Sequence, residues 1–378
     1  MGTVKSILKK IFPKVFLKKA FGLYNAIKIA TIDKILFPEY PLTAGDFKLY
    51  RTGYPFQENN TQIGGISDKR VRSFMENWYN WKQEEFILEF NKACYIEPRY
   101  GWAIVPRVKL LYYSLGISRT WFLPKPNLLA FLRKSNVLHV PSVISLRDTG
   151  EENYFHFYND VLAKIFFLKS HHFDVENLPI VISKNLWAKP FFQYYLTKSE
   201  SFAKLNWLIQ DTQFIKTDRA IFCKPLTHRK DLYDLIFAPI FKNISGSRRI
   251  FITRKKERLR FIENISDIDQ VCRRYQIEFV ELEELTLDAQ VKLFSMTELI
   301  VGIHGSGLVN MFFRNEPCKV LEIFPPPEEG YLPFHYIMLA DMKGFVYQGI
   351  IGEPARAKFS GGFYLHPTTF EQHLRALM

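Results

Sequence analysis

The 378-residue chain has only four cysteines, Cys94, Cys223, Cys272 and Cys318, and no CxxC pair among them. That spacing argues against a zinc ribbon and fits a reducing compartment. No uncharged apolar run approaches the roughly 18 residues that a membrane span requires. An uninterrupted signal-peptide core with a small-residue cleavage site is also missing, so no secretory leader is expected. There is no internal repeat and no low-complexity tract. No His/Cys/Asp cluster has metal-ligand spacing, and no metal is expected. Acids are scarce against bases, 38 to 51, which leaves a formal charge of +13. Such a balance fits an anionic partner, whether a phosphate-bearing ligand, a membrane surface or nucleic acid, and does not choose among them.

What is present is apolar and aromatic. Hydrophobic residues make up 47% of the chain, including 35 Phe and 19 Tyr, ample for a packed core. The length predicts two or three domains. The first thirty residues carry seven lysines, and no acid precedes Asp33. Ile7, Leu8, Ile11, Phe12, Val15 and Phe16 recur at helical spacing, with Lys9, Lys10, Lys14 and Lys18 largely opposite, and Pro13 predicts a kink. Residues 1–40 therefore read as a basic amphipathic segment able to lie on anionic lipid, or equally as a helix docked on its own protein with a solvated lysine face.

From about residue 235 strands and helices alternate. The strands are "RRIFITR", "EFVELEE", "LIVGIHG", "KVLEIFP" and "FVYQGII", and the helices between them are "DIDQVCRRYQ", "TLDAQVKLFSMTE", "GLVNMFFRN" and "YIMLADMKG". Alternation of this kind predicts a doubly wound parallel sheet. The first half reads as short strands and turns, followed by a helix over "EENYFHFYNDVLAKIFFL" and a buried strand "LPIVIS". The expected organisation is an N-terminal α/β domain over 41–235, a C-terminal one over 236–360, and a helix over 361–378 packing back towards the N-terminal domain.

In an open parallel sheet, ligands bind beyond the carboxyl ends of the strands. His304, Gly305, Ser306 and Gly307 fall at such an end and open a helix. Bare backbone and a helix N-terminus there suit a pyrophosphate, although a tight turn capped by Ser306 is the plainer reading. Arg254 ends the preceding strand and begins a run with Lys255, Lys256, Arg258 and Arg260, either a solvated loop or a source of cations for a leaving diphosphate. Glu322 lies in a buried-looking strand, where a carboxylate needs a partner, either a ribose hydroxyl pair or a neighbouring arginine. His156 and Asp160 are four apart and share a helix face, so the carboxylate can orient the imidazole as a general base. A satisfied core histidine is the alternative. The "DID" at Asp267–Asp269 formally matches a metal-binding DxD but reads as a helix start, with Ser266 or Asp267 as cap.

Taken together, "IFITR", "RFIEN", "VGIHGSGLVNMFF", "KVLEIFP" and "NYFHFYNDVLAK" resemble the glycosyltransferase 61 family. Arg254, Arg260, Asn264, His304, Gly305, Gly307, Leu308, Asn310 and Glu322 match its C-terminal wording, and Asn153, Tyr154, His156, Asp160 and Leu162 match its upstream element. Ser306, Phe157, Ala163, Lys164 and Thr253 depart from it. The resemblance implies a GT-B architecture, with two Rossmann-like domains facing across a cleft and the donor on the C-terminal one. It implies inverting, metal-independent transfer from a nucleotide sugar to a glycan or lipid-linked glycan. Arg254, Arg260, His304, Gly305, Ser306, Gly307, Asn310 and Glu322 would then bind the donor. His156 with Asp160 would supply the base, with Asp148, Glu151 and Glu152 in reserve. No nucleic acid is expected as a partner. A cytoplasmic enzyme of bacterial surface polysaccharide assembly, peripheral on the membrane through residues 1–30, is the expected setting. A GT-B-like transferase of another group, such as pyruvyl, and a catalytically silent binding protein are the alternatives.

Overall fold

The computed structural model describes residues 36–52, 62–78, 84–115, 123–242, 244–254, 259–327, 332–357 and 361–378. The amphipathic segment expected over residues 1–30, and Lys255, Lys256 and Arg258 of the basic run, lie outside the described residues. The chain divides into two compact units: a C-terminal unit containing residues 62–78 and 240–378, and an N-terminal unit containing 36–52 and 84–239. Among the described residues no helix is long and apolar enough to cross a membrane.

The C-terminal unit is built on a wholly parallel five-stranded sheet. Its spatial order is Glu278–Val280, Arg248–Ile252, Thr297–Ile303, Lys319–Phe324 and Val346–Ile351. In chain order this is 2-1-3-4-5, a doubly wound arrangement. The inner strands are buried on both faces, which is why they read as unbroken apolar runs. Helices Ile265–Arg274 and Pro367–Leu377 cover one face, with Ile268, Val271, Phe370, Leu374 and Leu377 buried against Phe251, Val301 and Leu321. The last helix, expected to pack back towards the N-terminal domain, thus completes the core of its own unit. The reversal of winding puts Leu287–Ser295 and the segment after Ile303 on the opposite face.

That segment, expected as an α-helix, is a run of 3₁₀ turns over Ser306–Phe313. It packs tightly on both sides. A Cβ at Gly302 would lie 2.9 Å from Leu308 Cδ2, and one at Gly307 would lie 2.6 Å from Leu282 Cδ1. The "DID" helix starts one residue after Asn264, with Asp267 in its first turn accepting from Asn264 Nδ2 at 3.2 Å, so neither Ser266 nor Asp267 is the cap residue. Residues 62–78, expected in the N-terminal domain, cover the edge strand Val346–Ile351 instead. Gln348 accepts from the Ser67 amide and hydroxyl at 2.9 Å and donates to the Gly65 carbonyl at 2.7 Å. Helix Lys69–Glu76, capped by Asp68, buries Val71 and Met75. An uncovered edge would otherwise offer a row of unpaired backbone groups.

The N-terminal unit contains two sheets. The larger runs Phe47–Thr52, Glu84–Phe90, Arg219–Lys224, Ser142–Ser145, Ile180–Ser183, Trp207–Gln210, with the last four strands parallel. A second, five-stranded sheet shares a core of Phe86, Leu88, Cys94, Ala103, Ile215 and Phe222 with it. Gly101 lies beneath Arg147 at φ +86°, and a Cβ there would meet Arg147 Cβ at 2.2 Å. Gly101→Ala combines a left-handed backbone with overlap against a buried stem. It is expected to cost about 1–3 kcal/mol in urea unfolding; an unmoved midpoint would show that this backbone relaxes freely.

Candidate functional site

In the C-terminal unit the winding reverses between Arg248–Ile252 and Thr297–Ile303. A crevice at the carboxyl ends of those two strands is where an open α/β sheet binds ligands. The chain leaves the strands there as Thr253–Arg254 and His304–Gly305. The Arg254 guanidinium donates to the His304 carbonyl at 3.2 Å, and a Cβ on Gly305 would lie 3.3 Å from its Nη1. Arg254 therefore lies along bare backbone at the strand end. The His304 amide continues the ladder by donating to Ile323 at 2.8 Å, and its ring stacks on Phe324 with Tyr336 tilted against it.

Glu322 is fully buried at the same level. It is flanked in register by Gly302 and Gly349. His304 Nδ1 and Glu322 Oε1 are 2.5 Å apart, and the Tyr347 hydroxyl donates to Oε2 at 2.6 Å. Burial pushes the Tyr347 phenol well above its ordinary value, and the Glu322 charge adds to this. Burial and Glu322 raise the Tyr336 phenol in the same way, against the opposing charge of Arg254.

A second reversal of winding occurs in the N-terminal unit, between Ser142–Ser145 and Arg219–Lys224. Asp148 follows the first of these strands and Lys224 ends the second. The helix that follows opens at Tyr154, capped by Asn153, whose side chain accepts from the amides of Phe155 and His156. It widens into a π-helical stretch over Phe157–Leu162 before continuing as Ala163–Ser170. Such widenings recur at functional sites. Here Asn159 and Asp160 are both buried within it. Asn159 accepts from the Tyr233 hydroxyl at 2.9 Å. Asp160 Oδ2 lies 2.5 Å from His156 Nδ1, while Oδ1 accepts from Lys224 Nζ at 2.8 Å. The His156 ring packs over Gly150, where a Cβ would lie 3.0 Å from Cγ, and its side chain is 39% exposed.

The electrostatics follow from that geometry. Burial would raise the Asp160 carboxyl, but Lys224 and His156 hold it well below the usual range. Burial would lower His156, but the bond and charge of Asp160 outweigh it, aided by Asp148 and opposed by Lys224, and the imidazole is raised. Lys224 is likewise raised, with Asp160 and Asp148 overcoming its burial. The result is a histidine oriented through Nδ1, with Nε2 left to accept a proton.

The sequence-predicted residues separate accordingly. Arg254, His304, Gly305 and Glu322 come together at one switch point, and His156 and Asp160 at the other. Ser306 opens the 3₁₀ run without capping it, and Gly307 is required by packing against Leu282. Asn310 is fully buried and donates to Gln290 at 2.9 Å, so it braces the segment from within. Arg260 is exposed, in a left-handed backbone conformation, with its amide donating to Gly361. Glu322 bonds His304 and Tyr347, not an arginine. Of the reserve acids, Asp148 pairs with buried Lys164 at 3.3 Å, Glu151 with Arg147 at 3.0 Å, and Glu152 with Lys189 at 3.2 Å. Lys224, Tyr336 and Tyr347 were not singled out by sequence. For Lys224 a signal existed, a lysine ending the apolar strand "AIFCK".

Two doubly wound sheets, each with charged side chains gathered at its switch point, define a class of α/β proteins that handle small anionic or hydroxylated ligands. The family model described as Glycosyltransferase 61 matches residues 154–321 of this chain, a range that includes His156, Asp160, Lys224, Arg254 and His304 and stops short of Glu322. The protein is a glycosyltransferase. No curated protein matches the chain.

Proposed function

We propose that the protein transfers a sugar from a nucleotide diphosphate donor with inversion, in a GT-B arrangement and without a metal. The C-terminal unit holds the donor, and His156 is the base. The observation that carries this reading is Arg254 lying on the 304–305 backbone at the winding reversal. A guanidinium there suits the charge that develops on a departing diphosphate. Inversion is a single displacement. The acceptor hydroxyl gives its proton to His156 Nε2 and its oxygen bonds the anomeric carbon. The bond from that carbon to the diphosphate oxygen breaks, and the electron pair leaves with the nucleotide. Asp160 supports the resulting imidazolium.

The acceptor we propose is a glycan or lipid-linked glycan of bacterial surface polysaccharide, met at the inner face of the membrane. The lysine-rich amphipathic pattern of residues 1–30 supports this setting. Removing those residues is expected to abolish binding to anionic liposomes, and undiminished binding would refute the membrane contact.

Incubation with UDP- and GDP-sugars is expected to release one nucleoside diphosphate and to raise the melting temperature, whereas CMP-sugars, which carry no diphosphate, are expected to do neither. Release of no nucleoside diphosphate, without any thermal shift, would overturn the donor reading. Arg254→Ala is expected to weaken binding of the released nucleotide diphosphate by about 10- to 100-fold in calorimetric titration, the usual worth of a charge-assisted bond.

A further inference from the structure

We infer that Tyr347 and Glu322 are positioning residues that fix the tautomer and plane of His304, and that Glu322 does not read the donor's ribose. Nothing in the matched range assigns Tyr347, which lies beyond residue 321. Both oxygens of Glu322 are already engaged, Oε1 by His304 at 2.5 Å and Oε2 by Tyr347 at 2.6 Å. A buried carboxylate without such partners would be costly. With two donors it is a satisfied acceptor with little left for hydroxyls.

The arrangement is directional. A carboxylate only accepts, so the ring nitrogen facing it carries the proton, and Nε2 is the nitrogen left to a ligand. Phe324 stacks on the ring at 20° between planes with centroids 5.5 Å apart, and Tyr336 lies against it at 5.3 Å. The stack on Phe324, the contact with Tyr336 and the bond at Nδ1 therefore hold the ring, and rotation about the side chain is restricted. Tyr347 keeps Glu322 in turn from swinging towards the strand end. Room for this comes from Gly349, where a Cβ would lie 3.4 Å from the Tyr347 hydroxyl and 2.9 Å from Val71. The chain Tyr347–Glu322–His304 thus runs across three adjacent strands of one sheet, from near the amino end of Val346–Ile351 to the residue just past the carboxyl end of Thr297–Ile303, and fixes the imidazole of the residue whose carbonyl accepts from Arg254.

The consequence for the donor rests on the reading of this site as the donor site; the consequence for the ring does not. The test uses the full chain, with Glu322→Gln, Tyr347→Phe and wild type compared by nitrogen-15 NMR of the histidine rings without ligand. The His304 signals are assigned by their loss in His304→Asn. Wild type is expected to show one His304 tautomer, protonated at Nδ1. Glu322→Gln is expected to show both, because an amide can accept from Nδ1–H or donate to bare Nδ1. Tyr347→Phe, which keeps the carboxylate, is expected to shift the His304 Nδ1 signal while retaining its tautomer. His304 signals unchanged in both variants would overturn the inference. In titrations with UDP and 2′-deoxy-UDP, Glu322→Gln is expected to weaken both by about tenfold and leave their ratio as in wild type. A ratio collapsing in the variant would show that Glu322 reads the ribose and refute that part. If neither nucleotide binds wild type, the donor reading fails for them while the ring signals still decide the positioning role.

Discussion

His156→Ala is expected to lower kcat by about 10²- to 10⁴-fold, the usual contribution of a positioned general base, with donor affinity unchanged. The separation arises because His156 and Arg254 belong to different units of the chain. Loss of donor affinity in step with kcat would instead mark His156 as structural. The pH profile gives an independent check. A base acts when neutral, and the His156 imidazole is raised from its ordinary value of 6.5 because Asp160 outweighs burial. The acidic limb of kcat/KM is therefore expected above pH 6.5 in wild type. Asp160→Asn should keep the ring's neighbourhood while removing the charge that raises it, moving the limb to lower pH and lowering the plateau. Stability has the opposite dependence for the two partners. Asp160 is depressed below 3.8, so its contribution is present above that pH and is lost as pH falls through the depressed value. His156 is raised, so its contribution is complete below 6.5 and is lost as pH rises through the raised value.

The C-terminal sheet was legible in sequence for a physical reason. Its strands are covered on both faces, so each appears as a short apolar run between polar helices, and alternation alone implies parallel winding. Glu278–Val280 was overread as a longer strand because Leu282–Glu284 continues the same apolar and acidic mixture as a 3₁₀ turn. The cover of the sheet edge by residues 62–78 was invisible. Its hydrogen bonds join positions 281 and 283 apart, and no local pattern encodes them.

The sites divide in the same way. His156 and Asp160 could be paired by eye, since four residues along a helix bring side chains together. The π-helical widening that buries Asn159 beside Asp160 left no comparable trace, because local composition does not distinguish it from an α-helical turn. At Glu322, sequence correctly required a buried partner but supplied ribose or arginine, where the fold supplies His304 and Tyr347, 18 and 25 residues away. Gly305 and Gly307 were read as openings for a ligand; Gly305 does lie against Arg254, but the space beside Gly307 is filled by Leu282. A glycine pattern records close approach of something; whether it is ligand or side chain depends on the packing around it.

Lys224→Met is expected to cost about 3 kcal/mol of folding stability in urea titration, the low end for removing one partner of a buried ion pair. Asp160 is only 7% exposed and would keep His156 and the Asn159 side-chain amide as partners, while Lys224 itself is 20% exposed, which places the effect at that end. The catalytic consequence is the more discriminating one. Lys224 opposes protonation of His156, whereas Asp160 favours it. Removing the lysine should therefore raise the imidazole further and move the acidic limb of kcat/KM to higher pH, opposite in sign to Asp160→Asn. A lysine that merely held two strands and a helix together would lower stability without moving that limb. Lys224→Arg, which keeps the charge on a longer stem, should restore the limb even where stability stays reduced. Limbs moving the same way in Lys224→Met and Asp160→Asn would show that the two do not act on His156 as opposing charges.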